Sequence, residues 1–202
     1  IISILVLEGI YFYNFTTPEF NVNVSQIPFW ALTAYFFWQG ISKNKKKDWI
    51  LFGIFSALGF LSKYLFIYIL ISFFLFLIIN LKKNKKFLKN YFFSIIVTFL
   101  ILTPHFIWLY ENSFETIFYG LDRSNLIEKE LINHLTNPLI FIFKQFLILI
   151  PFFLMIAVLL KKTNFRINLK NKKVLYICSI SILPVILIFI TSFLTGAKIR
   201  TM

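Results

Sequence analysis

The sequence predicts an all-α, polytopic integral membrane protein with about seven membrane helices. Three observations predict it. Of 202 residues, 59% are hydrophobic, 20% aromatic and only 14% charged, and the mean hydropathy is +0.81. Soluble domains carry about a quarter charged residues. The apolar residues are gathered into runs near the length of about 20 residues that crosses a bilayer. The basic residues lie between those runs. This composition excludes a soluble enzyme, a nucleic-acid-binding domain and a disordered tail. The net charge of +13 is therefore read as membrane topology and not as a nucleic-acid footprint.

The apolar runs, in order, are Ile1 to Tyr13, Ile27 to Ile41, Trp49 to Leu81, Tyr91 to Tyr110, Pro138 to Leu160 and Val174 to Leu194. Trp49 to Leu81 is too long for one span. Lys63 divides it, so two helices are expected, turning near Lys63. Gly53, Gly59 and Ser62 in the first half permit close helix packing. Between the runs, the segments 42–48, 82–89 and 161–173 hold four, five and six basic residues, 15 of the 21 in the chain. With two spans in Trp49 to Leu81, all three segments fall on one side. The positive-inside rule makes that side cytoplasmic.

The opposite side then holds Asn14 to Gln26, the turn at Lys63, Glu111 to Asn137 and Gly196 to Met202. Within the long segment, Phe114, Ile117, Phe118 and Leu121 follow helical spacing. Ile127, Leu131 and Leu135 form a second stripe. An amphipathic helix on the membrane surface fits, as does a helix packed on its own bundle. The chain reads as a single membrane domain, 1–202, and as an internal piece of a longer protein.

Candidate functional residues follow from polar groups in apolar surroundings. A lysine at mid-bilayer costs roughly 2.5–3.5 kcal/mol on insertion scales. Lys63 is therefore a snorkelling lysine at a helix end or an anion ligand facing a cavity. Glu19, Asn21, Asn23, Ser25 and Gln26 form either a solvated loop or a carboxylate-and-amide cluster at the surface. Pro104 kinks its helix, and His105 beside it is a packing residue or a ligand. Lys198 and Arg200 are helix-end cations or lipid-phosphate ligands. His105 and His134 have no metal-ligand spacing. The one cysteine, Cys178, permits no intrachain disulfide. No Walker loop, dinucleotide glycine motif, zinc motif or nucleophile elbow is present. Chemistry on the outer face has no direct access to cytoplasmic nucleotides, and a membrane-bound activated lipid donor solves that problem.

Three local patterns then carry a resemblance. They are Phe20-Asn21-Val22-Asn23 with Pro28-Phe29-Trp30-Ala31-Leu32, Gly59-Phe60-Leu61-Ser62-Lys63-Tyr64, and Pro104-His105-Phe106-Ile107-Trp108-Leu109 with Asn112 and Phe114. In this order the chain resembles bacterial membrane glycosyltransferases of the dolichyl-phosphate-mannose protein mannosyltransferase superfamily, nearest the branch of rhizobial lipopolysaccharide sugar transferases. The resemblance implies a C-type glycosyltransferase fold in the bacterial inner membrane. It implies a polyprenyl-phosphate sugar donor and an envelope glycan or lipid acceptor, with inversion at the anomeric centre. The main catalytic aspartate of such proteins lies in an amino-terminal loop outside this chain, so the catalytic residue is not named. Asn23 occupies the aspartate position of the Thr-Pro-Asp motif, and Thr17-Pro18-Glu19 has the right letters four residues early. By the same likeness, Glu19, Asn21, Asn23, His105 and Asn112 are substrate-binding candidates. Lys63, Lys198 and Arg200 are lipid-phosphate candidates. Metal use varies across the superfamily, so a divalent metal is compatible and not required. The rival reading is a membrane transporter or lipid flippase. It predicts interrupted repeats with charges near the midplane, which the sequence does not display.

Overall fold

Helices account for nearly all of the computed structural model, which describes residues 20–80, 86–124, 131–160, 168 and 171–198. Among the described residues seven α-helices follow in order: α1 Val22–Lys43, α2 Lys46–Ser62, α3 Ile67–Asn80, α4 Lys86–Glu111, α5 Glu115–Arg123, α6 Asn133–Leu160 and α7 Lys172–Thr195. The 3-10 turn Tyr64–Phe66 joins α2 to α3. No strand occurs among the described residues.

Two helices start ahead of their apolar runs at asparagine caps. Asn21 starts α1, its Oδ1 accepting from the backbone N–H groups of Asn23 and Val24 at 2.9 and 3.2 Å. Asn171 does the same for α7 through the Lys173 N–H. Such caps satisfy donors that a helix start leaves orphaned. Asn44 ends α1 in the left-handed conformation, with φ 51°. Five prolines lie inside helices: Pro28, Pro104, Pro138, Pro151 and Pro184. Membrane helices tolerate this where neighbouring groups re-satisfy the backbone.

The expected count of seven spans is not supported. Among the described residues three helices are long and apolar enough to cross a membrane: Phe87–Glu111, Asn133–Val158 and Lys172–Thr195. At about 1.5 Å per residue these exceed the ~30 Å hydrocarbon core. The break at Lys63 is present, but it leaves two short pieces. One is α2, 17 residues beginning with Lys46, Lys47 and Asp48. The other is the apolar helix Tyr64–Ile79. α1 carries Gln26, Gln39 and Lys43, which lower its hydropathy. The run Ile1 to Tyr13 lies outside the described residues. Of the second amphipathic stripe, Ile127 lies outside the described residues, Leu131 sits in a turn and Leu135 is inside α6.

α1 packs on α2, α2 on α4, α3 on α7 and α6 on α7. Five helices meet at one ring. Phe37 of α1 is fully buried. Its centroid lies 5.9 Å from Trp49, 5.2 Å from Phe52, 4.6 Å from Phe73, 6.4 Å from Tyr91 and 5.9 Å from Tyr176. The Tyr176 hydroxyl donates to the Ala34 carbonyl at 2.6 Å, locking α7 to α1. Nearby, the Asn90 amide donates to Asn44 Oδ1 at 2.9 Å. This bond joins the lysine-rich turn after α1 to the start of α4, so those two basic segments share one end of the bundle.

Glycines set the closest approaches. A Cβ at Gly53 would lie 2.6 Å from the Ser94 carbonyl oxygen of α4. A Cβ at Gly59 would lie 2.4–2.7 Å from the buried ring of Phe66. The Ser62 hydroxyl donates back to the Gly59 carbonyl at 2.7 Å.

Two stability predictions follow from this packing. Phe37→Ala opens a cavity among five helices and is expected to cost about 3–5 kcal/mol, whereas Phe143→Ala on the exposed face of α6 costs far less. Gly59→Ala overpacks Phe66 and is expected to cost about 1–3 kcal/mol. Gly120, with nothing within 4 Å of an added Cβ, tolerates alanine and gains helix propensity. Melting temperatures of the detergent-solubilised variants check both pairs. Equal melting within either pair would refute the corresponding contact.

Candidate functional site

At the end of the bundle opposite the Asn44–Asn90 contact, the start of α1, the break after α2, the end of α4 and the start of α5 converge. The break is the central feature. Lys63 is extended, with φ −163° and ψ 128°, and its N–H still reaches the Gly59 carbonyl at 3.2 Å. The chain then re-enters helix through Tyr64–Phe66. The effect is to turn Lys63 and Tyr64 sideways out of a helix axis that would otherwise keep them among apolar neighbours.

The Lys63 ammonium donates to Asn23 Oδ1 at 2.5 Å. Burial, and next the neighbouring Arg123 guanidinium, hold the Lys63 pKa below its ordinary value. Desolvation and a like charge both disfavour an ammonium ion. Arg123 itself lies over the Tyr119 ring, 5.7 Å from its centroid. Lys63 is therefore a partly buried cation that feels the like charge of an exposed arginine. One turn along α1 from Asn23, the Gln26 side chain is buried and its Nε2 has no partner among the described residues. Buried polar groups are normally satisfied, which sets this amide apart from its neighbours in α1.

Beside Lys63, the Tyr64 hydroxyl joins two elements. It lies 3.0 Å from His105 Nε2 and 2.8 Å from Thr116 Oγ1. His105 is stacked on Trp108, with centroids 6.1 Å apart and planes 12° apart. Below this level an apolar cavity of about 300 Å³ runs between α2, α3 and α4. Phe60 and Phe106 line it nearest the site, and the Phe60 ring lies 5.3 Å from the Tyr64 ring.

Of the residues singled out from the sequence, Asn23, Lys63 and His105 come together. Asn21 is close by, but its side-chain oxygen is taken up in capping α1. Asn112 does not join them: its amide donates to the Trp108 carbonyl at 2.8 Å and closes the end of α4. Lys198 is exposed, and its backbone N–H donates to the Ser124 carbonyl at 2.9 Å, tying the chain after α7 to the end of α5. Glu19 and Arg200 lie outside the described residues. Among the described residues no group of three His, Cys, Asp or Glu side chains converges to hold a metal ion.

Tyr64 was quoted only as part of the second local pattern and given no role, and Thr116 and Arg123 were not singled out from the sequence. Thr116 and Arg123 are seven residues apart, on the face of α5 opposite Phe114, Ile117, Phe118 and Leu121. That spacing was the available signal.

Comparison with known proteins adds one finding. A model of the dolichyl-phosphate-mannose-protein mannosyltransferase family matches residues 1–108. No curated protein and no solved structure matches the chain. The matched stretch is more than half of the 202 residues and contains Asn23, Lys63, Tyr64 and His105. The chain belongs to the dolichyl-phosphate-mannose-protein mannosyltransferase family, a family of membrane glycosyltransferases.

Proposed function

We propose that this chain forms the membrane part of an enzyme that transfers a sugar from a polyprenyl-phosphate donor to an envelope glycan or lipid. The reaction takes place at the outer face of a bacterial cell membrane, with the segments 42–48, 82–89 and 161–173 cytoplasmic. The observation that carries this reading is the meeting of Lys63 with Asn23, beside Tyr64 and His105, at the end of the bundle away from the lysine-rich turns. An anionic headgroup at a membrane surface needs a cation at that depth. The apolar cavity below the site suits a lipid tail.

In the proposed chemistry an acceptor hydroxyl attacks the anomeric carbon. The bond from that carbon to the phosphate oxygen breaks, and the electron pair leaves with the polyprenyl phosphate. Lys63 and Arg123 neutralise the charge growing on the leaving phosphate, which is the kind of stabilisation that lowers a barrier most in a water-poor site. The hydroxyl of Tyr64 and the ring of His105 orient the sugar. The base that takes the acceptor proton is not assigned to a described residue.

The test uses the intact protein in detergent with a panel of polyprenyl-phosphate sugars. Lys63→Ala is expected to lower transfer by about 10²–10³-fold, the usual loss when one charge-stabilising group is removed, with its melting temperature retained. Unchanged turnover in a folded variant would reduce Lys63 to a helix-end lysine.

A pH profile supplies the second test. Lys63 binds phosphate as a cation, so activity is lost as pH rises through its lowered pKa. Arg123→Ala removes the like charge, lets that pKa rise and is expected to move the alkaline limb of kcat/KM upward while raising the KM for the donor. A fixed alkaline limb would show that Lys63 is not the titrating group.

A further inference from the structure

The short helix α5 has no buried residue. Among the described residues, hydrogen bonds tie it to the rest of the bundle at two points: the Thr116–Tyr64 bond and the Ser124 carbonyl, which accepts from the Lys198 N–H. Its two faces differ sharply. Phe114, Ile117, Phe118 and Leu121 form an exposed apolar stripe, with Phe118 58% exposed. Glu115, Thr116, Tyr119, Asp122 and Arg123 occupy the rest of the circumference.

The position of α5 in depth is constrained from both sides. α4, a helix of spanning length, ends at Glu111, and only Asn112, Ser113 and Phe114 intervene before α5 starts. Ser113 and Phe114 are both left-handed, with φ of 51° and 57°, so the chain turns sharply instead of rising away from the end of α4. The next described helix, α6, is again of spanning length. A helix joined this tightly to the end of a span cannot leave the level at which that span meets water. An apolar stripe at that level is matched by the boundary between headgroups and acyl chains.

We propose that α5 is a membrane-surface helix that seats Phe114, Ile117, Phe118 and Leu121 in the lipid boundary and thereby holds Thr116 against Tyr64. The occupant of the stripe is the bilayer itself. The site wall is thus fixed from outside by lipid as well as from inside by one hydroxyl bond. This inference rests on the membrane-spanning character of α4 and α6 and not on the transfer reaction.

The test places the intact protein, with Cys178 replaced by serine, in phosphatidylcholine nanodiscs. Single cysteines at positions 118, 121, 119 and 122 carry an environment-sensitive nitrobenzoxadiazole dye. Nitroxide on carbon 5 of the acyl chain is expected to quench the dye at 118 and 121 at least twofold more than at 119 and 122. Adding Ile117→Glu and Leu121→Glu is expected to abolish quenching at 118. Uniform quenching along α5, or a dye at 118 shielded from both lipid nitroxide and aqueous iodide, would overturn the proposal, the latter by showing protein on the stripe. Quenching that survives the two glutamates would also overturn it, because the fold and not the stripe would then hold the helix. None of these readouts involves transfer, so the surface seat stands or falls apart from the proposed reaction.

Discussion

The contact between Gly59 and Phe66 is the constraint on which the site depends. A helix that ran straight from Trp49 to Leu81 would leave Lys63 on a continuous apolar rod. The break at Lys63 avoids this, but a break needs somewhere for the returning chain to go. Phe66 lies flat on the bare backbone at Gly59, closer than any side-chain carbon at that position allows. The buried ring holds the 3-10 turn against α2, and the turn holds Lys63 extended and Tyr64 beside it. The ammonium that meets Asn23 and the hydroxyl that meets His105 and Thr116 are therefore placed by a glycine four residues upstream.

Packing elsewhere follows the same logic. Between membrane helices the hydrophobic effect gives little drive, because lipid tails are as apolar as leucine. Close fit and hydrogen bonds must supply the difference. Phe37 does so by touching rings from four other helices, and the Tyr176 hydroxyl adds a directed bond to the backbone of α1. This aromatic knot lies near the lysine-rich turns, at the end away from Lys63. Rigidity at one end leaves the other free to be built from polar groups that pack less tightly, including a buried amide of Gln26 without a partner among the described residues.

Much of this architecture was legible in the sequence, for a physical reason. Long apolar runs have few alternatives to helix in a bilayer, so the cores of α1, α4, α6 and α7 and the break at Lys63 could be read directly. The number of spans could not. Hydropathy locates apolar segments, but the polar starts of α1 and α2 and the short reach of α3 decide whether a segment crosses. The site was legible in part. Lys63, Asn23 and His105 stood out as polar groups in apolar company. Asn112 was named only through the third motif of the resemblance, and it is a helix terminator bonded to the backbone of its own helix. The roles of Tyr64, Thr116 and Arg123 were missed because their significance is tertiary: a tyrosine in an aromatic-rich chain and two polar residues on a surface helix become informative only once the fold brings them to one another.

The chemistry of the Lys63–Asn23 pair explains why an amide is a suitable partner here. By resemblance, Asn23 stands where the wider family carries an aspartate. An aspartate in that position would form an ion pair with Lys63, and the cation would then be neutralised by its own protein. An amide oxygen accepts the hydrogen bond without cancelling the charge. Hydrogen bonds to a charged group contribute about 1.5–3 kcal/mol, enough to orient the ammonium while its charge stays available. The neighbouring Arg123 pushes in the same direction. Burial first and the like charge second disfavour the Lys63 ammonium, and an anion bound to it would offset both. A partly desolvated lysine that keeps its charge has more to gain from an anionic partner than one in water, which is why the proposed lipid-phosphate role suits an amide at position 23 better than a carboxylate.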